Sequence, residues 1–212
     1  MEKYKQSLKE EIANSATHGI GFLLSIAGFL VLVVSASLHG DTWRVVSFSI
    51  YGGCLIALYA ASTLYHSFSL ARLKYIFKKI DHSTIYLLIA GSYTPFILVL
   101  LRGKLGWTFL GAIWGLTLAG IIFQMFFVDR FVVLSTVSYL IMGWLALVIL
   151  YPIVKNIPYG AISWLVAGGM FYSLGIFHFF IKFPFHHTIW HLFVLGGSMC
   201  HYFAILFYVL PV

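Results

Sequence analysis

The chain has 212 residues, 61% of them hydrophobic and only 9% charged, with a mean hydropathy of +0.98. A soluble domain carries about 25% charged residues, so this composition excludes a water-soluble globule and points to lipid as the solvent. The net charge of +7 comes from basic residues scattered over the loops. That distribution argues against a nucleic-acid-binding stripe and for orientation in a membrane.

A helix needs about 20 apolar residues to cross the hydrocarbon core. After a short mixed-charge segment at residues 1–12, seven stretches free of Lys, Arg, Asp and Glu reach that length: 14–38, 45–69, 82–101, 105–127, 131–154, 159–181 and 183–210. Unpaired backbone groups are not tolerated in hydrocarbon, and barrel strands would be half as long, so the runs are predicted to be helices. The expected fold is all-α: one seven-helix transmembrane domain over residues 1–212. Residues 1–12, with Lys3, Lys5 and Lys9 among Glu2, Glu10 and Glu11, read as a retained amphipathic segment rather than a signal peptide. Both cysteines, Cys54 and Cys200, fall inside apolar runs, so neither a disulfide framework nor a Cys-rich metal site is expected. Pro95 should kink the third helix, with Gly91 and Ser92 accommodating the bend. Gly111 and Gly115 permit close helix packing.

With the N-terminus in the cytoplasm, nine basic residues fall inside (Lys3, Lys5, Lys9, Arg72, Lys74, Lys78, Lys79, Arg130, Lys182) and four outside (Arg44, Arg102, Lys104, Lys155). The bias favours a cytoplasmic N-terminus and an external C-terminus. The segment Arg72 to Lys79 then reads as a cytoplasmic loop beside anionic head groups. In this orientation seven of the nine histidines occupy the cytoplasmic third, all but His39 and His201. That polarisation predicts a site at the inner face.

The seventh run opens with His187-Thr188-Ile189-Trp190-His191. Histidines at i and i+4 share one helix face and can converge on one metal ion. His66, at the inner end of the second run, can add a third imidazole, and three protein ligands with one open position is the pattern of a catalytic zinc. Ionisable groups at membrane depth are expensive and usually mark function. Asp81 either caps the third helix or, beside the metal, orients a water and accepts its proton. Ser62, one turn before His66, either donates to that water or to a reacting oxygen, or bonds back to its own helix. Glu11, Asn14 and His18 recur at helical spacing and either order the surroundings of the site or cap the first helix. His186 and His82 read as an interfacial residue and a bystander turned from Asp81. His201 lies about 15 Å up the helix from His191, too far to join one metal shell. His178 is the leading candidate for an additional site residue.

The set Glu11-x2-Asn14-x3-His18, Ser62-x3-His66, Asp81 and His187-x3-His191 resembles the haemolysin III branch of the progestin and adipoQ receptor (PAQR) family. The text from Lys78 to Tyr86 and from Gly91 to Phe96 is also similar to that family, and the likeness covers nearly the whole chain. The resemblance implies seven helices with a cytoplasmic N-terminus and a Zn2+ near the cytoplasmic face, held by His66, His187 and His191, with Asp81 bonded to the water on it. It looks like a bacterial member of the plasma (inner) membrane. The family is related to alkaline ceramidases, which implies zinc-dependent hydrolysis of a lipid amide or ester. The label haemolysin implies instead a membrane-permeabilising cytolysin, although the chain lacks the polar make-up of a pore-former that must first be soluble. A third reading is a receptor-like regulator of membrane state whose zinc is structural, stapling the second and seventh helices. A channel is disfavoured because the outer halves of the runs are almost wholly apolar. Paired-histidine haem is disfavoured because the histidines crowd one end beside a carboxylate.

Overall fold

The computed structural model describes residues 6–149, 151–181 and 183–210, and these form helices and short turns with no strand among them. Seven helices are long and apolar enough to cross a membrane. They are α1 (Leu8–His39), α2 (Thr42–Ser67), α3 (Ala71–Pro95), α4 (Lys104–Phe127), α5 (Val132–Trp144, continued by Ala146–Ile149), α6 (Tyr159–Phe180) and α7 (His186–Tyr208).

The ends of these helices follow local chemistry. Ser7 caps α1: its hydroxyl accepts from the Glu10 backbone N–H, and the Glu10 side chain receives the Ser7 N–H in return. This capping box starts α1 at Leu8, six residues before the apolar run, because charge does not stop a helix that is capped and solvated at its end. The larger correction concerns Arg72 to Lys79, expected as a loop. These residues are the first turns of α3. Lys74 and Lys78, one turn apart, bind Glu11 at 2.7 Å and Asp129 at 2.5 Å, so both charges are neutralised against the protein. At the other end of α3, Pro95 interrupts the hydrogen-bond ladder, and the chain continues as a π-helical turn over Phe96–Leu100. The run 131–154 is not one helix. It passes from α5 through Ala146–Ile149 into a 3-10 turn at Tyr151–Asn156, which contains Pro152. Part of the charge count rests on Lys3, Lys5 and Lys182, which lie outside the described residues, as does the Lys155 side chain.

α2 packs along both α1 and α3, α6 along α7, and α1 also touches α7. At the end opposite Leu8, Arg44 Nε donates to the Val209 carbonyl at 2.9 Å, and Arg102 reaches Asp41 at 3.2 Å. The last helix therefore ends beside the start of α2, as an odd number of crossings requires. Two apolar cores result. One joins α1, α2 and α7 through Leu32, Phe48, Tyr51, Leu55, Tyr59 and Ile205. The other joins α3, α4 and α5 through Tyr86, Tyr93, Ile97, Ile113, Tyr139 and Met142. Exposed apolar residues such as Leu23, Leu24, Val31 and Val34 on α1 face outward, where only lipid suits them. Gly111 and Gly115 face open space rather than a neighbouring helix, so they serve no internal packing.

Between the two cores runs a cavity of about 410 Å³. Its wall is mostly apolar, with His18, Ser62, Asp81, His187 and His191 at the end of the bundle where α1 begins, and Tyr151, Ile157 and His201 farther along.

Candidate metal centre

The end of the bundle where α1 begins brings together side chains from four helices. His66 sits in the last turn of α2, and His187 and His191 lie one turn apart at the start of α7. One ring nitrogen from each of the three falls within 4.8 Å of the others. Their ring centroids are separated by 5.0 Å (His66–His187), 5.0 Å (His66–His191) and 4.6 Å (His187–His191). The i, i+4 spacing brings His187 and His191 together at the start of α7, and the third imidazole comes from α2.

Each ring is turned by a partner on α1 or left open toward the cluster. His66 Nδ1 donates to Glu11 Oε2 at 2.7 Å, and Lys74 Nζ holds the other carboxylate oxygen at 2.7 Å. His191 Nδ1 donates to the Asn14 carbonyl at 3.2 Å. An imidazole that donates through Nδ1 presents the Nε2 lone pair on its far side. His66 Nε2 and His187 Nε2 are buried and have no hydrogen-bond partner in the protein. Two buried ring nitrogens without partners are costly unless something binds them. A divalent ion with an affinity for imidazole fits this donor set. The ring oriented by a carboxylate is the arrangement that commonly accompanies a histidine ligand. The buried triad could therefore hold a metal ion.

Glu11, Asn14 and His18 lie on the face of α1 turned to α2 and α7. Asn14 is fully buried: its side-chain oxygen accepts from Thr188 Oγ1 at 2.6 Å, while its main-chain oxygen meets His191. Capping of α1 falls to Ser7 and Glu10 instead. The Glu10 carboxylate also accepts the Phe185 N–H at 2.8 Å, tying α1 to the residue that opens α7. Phe185 carries φ of 62°, an unfavourable left-handed conformation for a non-glycine residue. The sequence reading did not single out this link, although Ser7-x2-Glu10 is a recognisable capping signature.

Asp81 does not cap a helix. It lies ten residues beyond the start of α3 and faces the cavity, 14% exposed at its side chain. Ser62, one turn before His66, also lines the cavity. Its buried hydroxyl is close to the Asp81 carboxylate but short of hydrogen-bonding geometry, and it has no partner. Of the two alternatives read from the sequence, the back-bond to its own helix is not formed. His82 is not turned away from Asp81: its Nδ1 bonds the Lys78 carbonyl at 2.9 Å and lies 3.6 Å from Asp81 Oδ2, and its ring lines the cavity. His186 is buried rather than interfacial, its Nδ1 bonded to the Phe183 carbonyl at 2.8 Å. His178 does not join the site. It bonds the Leu174 carbonyl on its own helix and rests on Phe193. His201 lines the far part of the cavity, edge-on to Tyr172, where only the absence of a side chain at Gly168 leaves room for its ring.

Comparison with known proteins gives a consistent picture. The family model described as Haemolysin-III related matches residues 6–202. The chain is 52% identical to Hemolysin-3 of Bacillus cereus over 212 residues, covering 100% of this chain and 97% of that protein. It is 50% identical to the Hemolysin-3 homolog of Bacillus subtilis (strain 168), covering 97% of each. It is 30% identical to the Monocyte to macrophage differentiation factor of Homo sapiens, over 96% of this chain and 86% of that protein.

Proposed function

The chain belongs to the haemolysin-III related family of multi-pass membrane proteins, and from that premise and its histidine cluster we propose a zinc-dependent hydrolase that cleaves an amide or ester of a membrane lipid. The observation that carries the reading is the meeting of three imidazoles from α2 and α7 at the polar end of an apolar cavity. His66, His187 and His191 would hold the ion. Zinc bound there supplies Lewis acidity, polarising a carbonyl and lowering the pKa of water.

The chain's own groups divide the remaining work. The volume of about 410 Å³ and the apolar wall suit a single lipid chain, which delivers its carbonyl to the polar end. Asp81 takes the proton of the attacking water as the oxygen adds to the acyl carbon. It returns that proton to the departing nitrogen or oxygen as the carbon–heteroatom bond breaks, leaving a fatty acid and an amine or alcohol. Ser62, whose hydroxyl is unengaged in the protein, donates to the carbonyl oxygen as charge builds on it. Glu11 and Asn14 fix the tautomers of His66 and His191. With the N-terminus cytoplasmic, the reaction takes place near the inner face of the plasma membrane.

A second reading is favoured by the way the triad staples α2 to α7 while both are tied to α1: the metal is structural and the protein regulates membrane state. One experiment separates the two. Purified protein is reconstituted with N-dodecanoyl sphingosine, and fatty acid release is followed by mass spectrometry. The hydrolase releases dodecanoate, and Asp81→Asn abolishes release with metal content unchanged. Under the structural reading neither protein releases any, and His66→Ala unfolds the bundle.

A further inference from the structure

His18 occupies a position that the mechanism above leaves unused. Its side chain is 3% exposed, and both ring nitrogens are buried with no hydrogen-bond partner in the protein. The main chain of His191 runs close to the ring without meeting hydrogen-bonding geometry. An imidazole in either tautomer carries one N–H and one lone pair, so this ring keeps unmet capacity of both kinds in a dry place. The same ring forms part of the cavity wall, at the end shared with Ser62, Asp81 and His187.

Its neighbours narrow what the missing partner is. His18 stacks on His191, with ring centroids 3.5 Å apart and planes inclined by only 11°. Lone pairs of ring nitrogens point within the ring plane, so two nearly parallel rings stacked face to face cannot both aim at one ion. This agrees with the triad, from which His18 is absent. Tyr59 sits edge-on at 5.0 Å on another side and spends its hydroxyl on Ser198, so it offers His18 nothing. The free direction is the cavity, where Leu58 and Val194 leave little to hold a lone water.

We propose that His18 is a ligand-contacting residue: its imidazole hydrogen-bonds the polar head, amide or ester, of the lipid chain in the cavity. The stack on His191 fixes the ring so that the head is held at the histidine cluster and the chain runs on toward His201. This assignment rests on the lipid reading of the site and adds to it the group that recognises the head.

The test uses zinc-loaded full-length protein in nanodiscs, titrated with dodecanoyl hydroxamate as a single-chain probe, with zinc measured in parallel by mass spectrometry. His18→Phe preserves the stack and removes both nitrogens. It is expected to keep one zinc per chain while binding the probe at least about tenfold more weakly. His18→Gln, which can still reach with an amide, recovers part of the loss. If His18→Phe fails to fold, His18→Asn, too short to span the same gap, is held to the same criterion. Probe binding within twofold of wild type overturns the proposal, and so does loss of zinc, which would make His18 part of the metal site. A zinc-loaded wild type that does not bind the probe contradicts the lipid reading itself and removes this assignment with it.

Discussion

Glu11 Oε2 lies 2.7 Å from His66 Nδ1, joining the first helix to the end of the second through one short charge-assisted hydrogen bond. The other oxygen of that carboxylate is held by Lys74 at 2.7 Å, so the ring of His66 is set by a chain of three side chains from three helices. Such a carboxylate orients an imidazole and raises its affinity for a metal. Glu11→Ala should therefore weaken zinc binding by about 10- to 100-fold, and Glu11→Gln, which still accepts from Nδ1, by less. Competition against a chelator of known affinity measures both. Equal affinities in all three proteins would show that the carboxylate does not serve the metal.

Ser62 is buried with an unengaged hydroxyl beside Asp81. If it donates to the reacting carbonyl, Ser62→Ala lowers fatty acid release by about 100-fold and leaves zinc content at the wild-type value. A variant that turns over at the wild-type rate would remove Ser62 from the reaction.

Glu10 does two structural jobs, closing the capping box of α1 and holding the N–H of Phe185 at the entrance to α7. Glu10→Ala leaves that N–H without its acceptor beside a left-handed residue. A destabilisation of about 1–3 kcal/mol is expected, with looser placement of His187. Thermal melts in detergent report the first effect, and the zinc dissociation rate the second.

Asp41, in the loop between α1 and α2, accepts the Arg44 backbone N–H at 2.9 Å and faces Arg44 and Arg102. The Arg44 N–H, and after it the two guanidinium groups, hold the Asp41 carboxyl below the ordinary carboxylate range. A lowered folded-state value means that the stabilisation is complete above the unfolded pKa of about 4 and is lost as pH falls through the folded value. The pair is exposed, so the effect is under about 1 kcal/mol. Asp41→Asn keeps the cap but not the charge. The difference in Tm between it and wild type should be constant from about pH 8 to pH 5 and vanish at the acid end.

The seven helices were legible because hydrocarbon imposes both length and helicity, and the triad was legible because i, i+4 spacing on a helix puts His187 and His191 on one face. What the charge-free windows missed were helix ends that carry charge. Leu8 to Ala13 and Ala71 to Ile80 are helical because Ser7 caps one, and because Glu11 and Asp129 neutralise lysines of the other. That error displaced Asp81 from the third turn of α3 to its cap. The placements of His82 beside Asp81 and of His186 in the interior differ from the sequence expectation for another reason. Angular offset from a neighbour on the same helix says nothing about which other helix closes over the residue. The orphaned nitrogens of His18 could be seen only once α2 and α7 had been placed around it.

The role of the triad rests on the ion itself. Protein purified without added metal or chelator and analysed by inductively coupled plasma mass spectrometry should contain one zinc per chain, and His187→Ala, folded by its melting curve, should contain none. Folded wild-type protein that carries no zinc, or a His187→Ala variant that retains it in full, would contradict the assignment of the triad.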